Sequence, residues 1–309
     1  MLKLFYSFLR AFGFLTTWRV LILPKLQSKI SERAAYEIAR PAVRKYVLNQ
    51  IRSVVDQYRN HQKESIQTIK DDCPIWICWW QGWDEMPDLA KMCYRYVEQN
   101  KGKHRLIFID KSNYKDYVNL PDVILKRLQK GEMCITHFTD VLRFALLKQY
   151  GGIWLDALIL VIKPLNLRNQ VFYSLKHRSQ NNRYVSNCRW AGGVLACEKD
   201  CILASFVYES YLSYWSRNHK AIDHMIMDYI IDIGYEEVGA IKKMVDDVEI
   251  NNLYFYKLKS IFNQKVDLNL IGTILQSDTA LLSLNRRLHC EERDGNKQLT
   301  FYGYFNQKI

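Results

Sequence analysis

The ten residues Ile153 to Ile162 restrict the fold of this chain more than any other stretch, because all but Asp156 are apolar. A run of that kind suits a strand covered on both faces. Before it, Ile135, Phe138, Leu142, Ala145 and Leu146 recur at helical spacing. Asp140 and Arg143 are three apart and share one face of that helix. Gly151-Gly152 lies between helix and strand, where glycine accepts the left-handed cap. The sequence therefore places Asp156 within the strand, where a carboxylate needs a cation or hydrogen bonds to offset its burial.

The same alternation runs through the preceding residues. Ile75–Trp80 reads as a strand and Met86–Glu98 as a helix, with Pro87 in its first turn. Leu106–Ile109 is a second strand, and Tyr114–Val118 and Val123–Lys130 are short helices. Alternating strands and helices imply an α/β fold, a mostly parallel sheet with helices on both faces. Ligands of such sheets sit beyond the carboxyl ends of the strands, where Trp80, Asp110 and Asp156 fall.

Residues 1–70 differ from 71–309. The net charge is +12, and the first seventy residues hold thirteen Lys/Arg against four acids. That surplus of nine leaves about +3 for the rest, which points to an anionic partner for the N-terminal part. Residues 1–30 are rich in Phe, Leu, Tyr and Trp, but Arg10 and Arg19 interrupt them and Pro24 ends them. A membrane span needs about twenty predominantly apolar residues. A helix lying on an anionic membrane surface fits better; the alternative is a helix docked on the protein's own core. Residues 31–70 favour helix, with Ser31 as cap and Pro41 dividing it in two. The expected organisation is a basic, aromatic-rich helical extension over 1–70 and a catalytic domain over 71–309.

The eight cysteines form no CxxC pair. Cys197 and Cys201 lack partners at zinc-ligand spacing. Together with the absence of a cleavable signal, this predicts free, mostly buried thiols and a cytoplasmic location, at the inner face of the membrane if the extension binds lipid.

The sequence from Thr136-His137-Phe138-Thr139-Asp140-Val141-Leu142-Arg143 through Gly151-Gly152-Ile153-Trp154-Leu155-Asp156 resembles the sugar-nucleotide site of DXD-type glycosyltransferases. In particular it is similar to the capsular polysaccharide synthesis protein family, relatives of the clostridial toxin glucosyltransferases and mannosyltransferases. Pro74-Ile75-Trp76-Ile77-Cys78-Trp79-Trp80-Gln81-Gly82, the run Tyr214-Trp215 to Asp228-Tyr229 and the order of these blocks fit the same family over roughly 70–309. The resemblance implies a glycosyltransferase-A fold and retaining transfer from a nucleotide sugar, with UDP as nucleotide. The acceptor would be a lipid-linked or oligosaccharide chain of a surface glycan: capsular polysaccharide, lipopolysaccharide or exopolysaccharide.

It also implies roles. Trp80 would stack on the base, with Trp79 on the opposite face; a core position is the alternative for either. Asp140 would bind sugar hydroxyls or orient Arg143, and Arg143 would contact sugar or phosphate. Asp156 would face the ribose and, directly or through water, a divalent metal such as Mn or Mg. Asn187, in the loop Val185–Gly193, would reach the donor sugar. His224 and Asp228, four apart in a segment expected to be helical, would border the acceptor as an acid–base pair or as a structural hydrogen bond. By general glycosyltransferase architecture, His289, near Arg286 and Arg287, would contact the diphosphate. One position departs from the pattern: Leu158 stands where the second Asp of DXD belongs, and it cannot ligate a metal. A catalytically degenerate sugar-nucleotide or glycan binder is the competing reading. Nucleic acid is not expected as a partner, since no reader motif accompanies the basic N-terminus.

Overall fold

A computed structural model describes residues 2–23, 32–60, 67–167, 169–178, 184–285 and 290–308. The expected roles of Ser31, Arg286, Arg287 and His289 fall outside these residues.

Helix α1 (Leu2–Thr17) is followed by a π-helical turn, Trp18–Ile22, and by α2 (Glu32–Arg59). Pro41 does not divide this helix, which runs through it unbroken. Pro41, the tenth residue of this helix, costs it a backbone hydrogen bond to the preceding turn, and the buried stripe Val43, Val47, Ile51 and Val55 holds the helix against the body of the protein.

The alternating part follows as β1 (Pro74–Cys78), α3 (Asp88–Asn100), β2 (Arg105–Ile109), a 3-10 turn (Tyr114–Asp116), α4 (Asp122–Gln129) and α5 (Ile135–Tyr150). Strand β1 stops at Cys78, so Trp79 and Trp80 lie in the turn beyond it. Pro87 occupies the cap of α3 rather than its first turn.

After α5 the chain departs from the expected single strand. Strand β3 (Gly152–Leu155) ends before Asp156, and β4 (Ile159–Val161) belongs to a second sheet. The apolar run is continuous because both pieces are buried, but they are buried in different layers. Asp156 sits at the turn, where the amide of Ile159 bonds its carbonyl at 2.9 Å. The expected cost of a strand-interior carboxylate therefore does not arise.

The remaining elements are β5 (Phe172–Ser174), β6 (Val194–Cys197), α6 (Ile202–Arg217), α7 (Ile226–Glu237), α8 (Gly239–Asp246), α9 (Leu268–Gln276), β7 (Leu281–Ser283) and α10 (Phe301–Asn306). The main sheet has the order β2-β1-β3-β6-β5. Strand β1 is parallel to β2 and β3, and β6 is antiparallel to both β3 and β5. Four of the five strands thus point the same way. Strands β4 and β7 form a separate antiparallel pair.

Helices cover both faces. Trp76, Trp154 and Leu195 point into the layer of α2, α5, α6 and α7. Ile75, Ile77, Ile153 and Ala196 point the other way, against Ala90 and Val97 of α3. The β4–β7 pair packs with α3, α9 and α10 through Leu160, Leu282, Met92, Ile271 and Phe301.

The double glycine is a steric requirement. Gly151 and Gly152 have φ of 68° and 102°. A Cβ on Gly152 would lie 2.3 Å from the carbonyl oxygen of Pro74, and one on Gly151 would lie 2.5 Å from the amide nitrogen of Lys199. Only glycine lets β3 enter the sheet beside β1 at this distance. Trp76 Nε1 donates to the Gly151 carbonyl at 2.9 Å and fixes the crossing.

Candidate active site

Because β1 and β3 are parallel, their carboxyl ends open on one edge of the sheet. Helix α5 runs back along β3, so its amino-terminal half lies over the end of that strand. This brings Asp140 and Arg143 of α5 against Asp156.

Arg143 is the centre of the cluster. Its Nη2 lies 3.1 Å from Asp156 Oδ1 and 3.3 Å from Asp140 Oδ1. Its Nη1 donates to the Gly192 carbonyl at 2.8 Å and lies 2.9 Å from Met227 Sδ. The guanidinium carbon sits 4.8 Å from the centre of the Trp154 ring. Trp154 Nε1 donates to Asp156 Oδ1 at 2.8 Å, and Tyr211 donates its hydroxyl to Asp140 Oδ2 at 3.4 Å. Burial first, then the Asp140 charge, pushes the Tyr211 hydroxyl well up, so it stays a donor.

The two carboxylates differ in access. The side chains of Asp140 and Arg143 are buried, whereas that of Asp156 is 49 % exposed. Asp140 fixes Arg143 from within, and Asp156 turns its second oxygen outward. The Asp156 amide donates to the Gly193 carbonyl at 2.8 Å. A Cβ on Gly193 would stand 2.7 Å from Asp156 Oδ2, so a glycine keeps that oxygen accessible.

Beside the cluster lies a cavity of about 240 Å³. Asp156, Asp228, His177, Tyr184, Tyr256 and Lys259 are among the residues that line it. Asp228 lies in the first turn of α7 and is buried. Trp190 Nε1 donates to its Oδ1 at 2.8 Å. Burial raises the Asp228 carboxyl to about 6; the Trp190 hydrogen bond opposes this, Asp140 adds to it, and Arg143 and His224 oppose it.

His224 does not share a helix face with Asp228. It precedes α7 in a turn, is largely exposed, and places Nδ1 3.3 Å from Asp223 Oδ1. The expected helical pairing fails because α7 begins at Ile226.

Asn187 has a left-handed φ of 47°, and its Oδ1 is buried without a hydrogen-bond partner. Its neighbours Ser186 and Cys188 line the cavity, but Asn187 does not. Trp80 is half-buried, with its ring centre 4.6 Å from Phe138 and 5.3 Å from Tyr114. Trp79 packs on the opposite layer, as expected for neighbouring residues. Asp110, at the end of β2, accepts from the amide and hydroxyl of Ser112 and from the amide of Asn113. These bonds, led by the Ser112 hydroxyl, lower its carboxyl below the usual range.

The residues do not fit a divalent cation held by the protein alone. Such a cation wants several oxygen ligands, and one oxygen of Asp156 is already taken by Arg143 and Trp154. The Leu158 side chain packs into the apolar layers and its carbonyl accepts from Leu284. Among the described residues no group of three or more His, Cys, Asp or Glu could hold a metal.

Several contributors carried no clear signal in the sequence. Trp154 could have been found, since it lies two residues before Asp156 and shares its side of the strand. Tyr211, Met227, Tyr256 and Lys259 reach the site from distant segments with no motif of their own.

A mostly parallel sheet with helices on both faces and a carboxylate–guanidinium cluster at its carboxyl edge is a mixed α/β architecture. The chain belongs to the capsular polysaccharide synthesis protein family, whose family model matches residues 24–305. Among solved structures it is similar to one described as "PaToxG Glycosyltransferase", at 14 % identity and a TM-score of 0.42, over 68 % of this chain and 83 % of that one. No curated protein matches it.

Proposed function

We propose that the protein transfers a sugar from a nucleotide-sugar donor, a UDP-sugar, to a growing surface glycan, with retention of configuration. The observation that carries this reading is the cluster of Asp140, Arg143 and Asp156 at the carboxyl edge of β1 and β3, opening on a cavity with carboxylate and aromatic walls. Ionised carboxylates only accept hydrogen bonds, and a sugar offers hydroxyl donors around its ring. Aromatic faces cover the apolar C–H surface of the same ring. The half-exposed Asp156 is the group aimed at the ligand, and the buried Asp140 and Arg143 hold it in position. Trp80 is the platform proposed for the base, since stacking on an aromatic ring contributes about 1–3 kcal/mol per base. The acceptor hydroxyl attacks the anomeric carbon on the face from which the diphosphate departs, as the bond from that carbon to the diphosphate oxygen breaks, and gives its proton to the departing diphosphate oxygen. The nucleoside diphosphate leaves with the bonding electrons.

Leu158 favours a second reading, a binder that has lost turnover. One experiment separates the two. Wild type and Asp156→Ala are melted with UDP, GDP, CMP and their sugars, with and without manganese, and release of free nucleoside diphosphate is then followed. A ligand selective for the folded state raises the melting temperature by mass action. A shift with one nucleotide sugar and its turnover, both lost in Asp156→Ala, is the expected result. A shift without turnover supports the binder. No shift with any nucleotide sugar overturns both.

A further inference from the structure

The N-terminal helix has two faces, and the protein accounts for only one of them. Phe8 and Phe12 are buried, with ring centres 4.9 Å apart. The Phe12 ring meets Tyr46 of α2 edge-on at 5.2 Å, and the Lys220 ammonium lies 5.3 Å from the Phe8 ring. These contacts dock α1 on the body. At Gly13 the backbone turns to φ 74° and ψ 170°, which breaks the helix within its length. Thr17, fully buried, closes the bend by donating its hydroxyl to the Gly13 carbonyl at 2.8 Å.

The outward face is apolar. Tyr6 is 57 % exposed, Phe14 61 %, Leu15 69 % and Trp18 41 %. The Phe14 and Trp18 rings stack at 6.2 Å. Among the described residues twelve large apolar side chains are exposed, and these four fall within thirteen consecutive positions. Arg10 and Arg19 are exposed in the same segment. No helix among the described residues is long and apolar enough to cross a membrane, so this face can lie on a bilayer but not span it.

We propose that the outward face of residues 6–19 seats on an anionic phospholipid surface, with Phe14, Leu15 and Trp18 in the headgroup boundary and Arg10 and Arg19 against the phosphates. The charge supports this occupant over a second copy of the chain. The first seventy residues carry a surplus of nine positive charges, which attracts an anionic bilayer and repels an identical surface. Trp and Tyr also favour the interfacial depth, where one edge of the ring is wet. The two sequence readings of this segment, a docked helix and a membrane-surface helix, are then both realised, one on each face. The inference stands apart from the transferase reading and does not depend on it.

The test uses the full chain. Vesicles of phosphatidylglycerol mixed with phosphatidylcholine, and vesicles of phosphatidylcholine alone, are sedimented with wild type and with a Phe14→Ser/Trp18→Ser variant. Self-association is followed in parallel by sedimentation velocity. Wild type is expected to partition onto the phosphatidylglycerol vesicles, less so at raised salt, with a blue shift in tryptophan emission. The variant should partition at least about tenfold more weakly with an unchanged melting temperature, since both side chains are exposed. Failure of wild type to bind either vesicle overturns the proposal, as does equal binding by the variant. Self-association that the variant abolishes, without vesicle binding, assigns the face to a second copy instead.

Discussion

Replacing Asp228 with Asn should make the protein more stable at neutral pH. Asp228 is buried, and its carboxyl is raised from the ordinary 3.8 to about 6. In the unfolded chain the proton leaves near 3.8, and in the folded protein near 6. Between those values the folded state holds the extra proton, so stability falls as pH rises through that window. The full difference amounts to about 3 kcal/mol, reached above about pH 6. Asparagine keeps the oxygen that accepts from Trp190 Nε1 and removes the charge. The charged or titratable neighbours Asp140, Arg143, His224, Tyr211 and Tyr256 are present in both proteins, so the difference between them isolates Asp228. Urea unfolding of both proteins across a pH series is the assay. The expected result is no gap near pH 4, a gap that opens between about 4 and 6, and a plateau of about 2–3 kcal/mol above. A gap independent of pH, or a variant weaker at neutral pH, would refute the account of a charge held at a cost. If the variant gains stability and loses transfer, the cost is one accepted for function.

Three further substitutions probe the geometry. Gly193→Ala puts a methyl 2.7 Å from Asp156 Oδ2; the flexible carboxylate yields, so stability should drop by only about 1 kcal/mol, while the donor-induced thermal shift should largely disappear. Arg143→Ala leaves Asp140 buried without its cation and should cost about 3–5 kcal/mol, read as a lowered melting temperature and poor soluble yield; an unchanged melt would contradict the central role of the guanidinium. Gly152→Ala sets a Cβ against the Pro74 carbonyl at positive φ and should cost on the order of 3 kcal/mol or more, measured by urea unfolding, because β1 and β3 would have to separate.

The sequence by itself determined the alternation of strands and helices, the helix of Asp140 and Arg143, and the glycine break. These are local: apolar spacing and glycine conformation act over a few neighbouring residues. It also placed Trp79 and Trp80 on opposite sides, since successive side chains of an extended segment alternate. It placed Asp156 near a strand's carboxyl end but also inside one continuous strand, because an apolar run shows that residues are buried but not in which layer. Two strands in different sheets, β3 and β4, therefore looked like one. Pro41 looked like a break because a local rule has no knowledge of the α6 and α7 surface that α2 covers. His224 looked like a partner of Asp228 because a spacing of four is meaningful only once a helix is in place, and α7 starts two residues later. Tertiary structure alone decided which groups meet. Arg143 reaches Asp156 across thirteen residues of chain because α5 folds back along β3. Trp190 reaches Asp228, and Tyr256 and Lys259 reach the cavity, across longer stretches of chain still. Such contacts depend on how layers stack, and no periodicity in the chain records them.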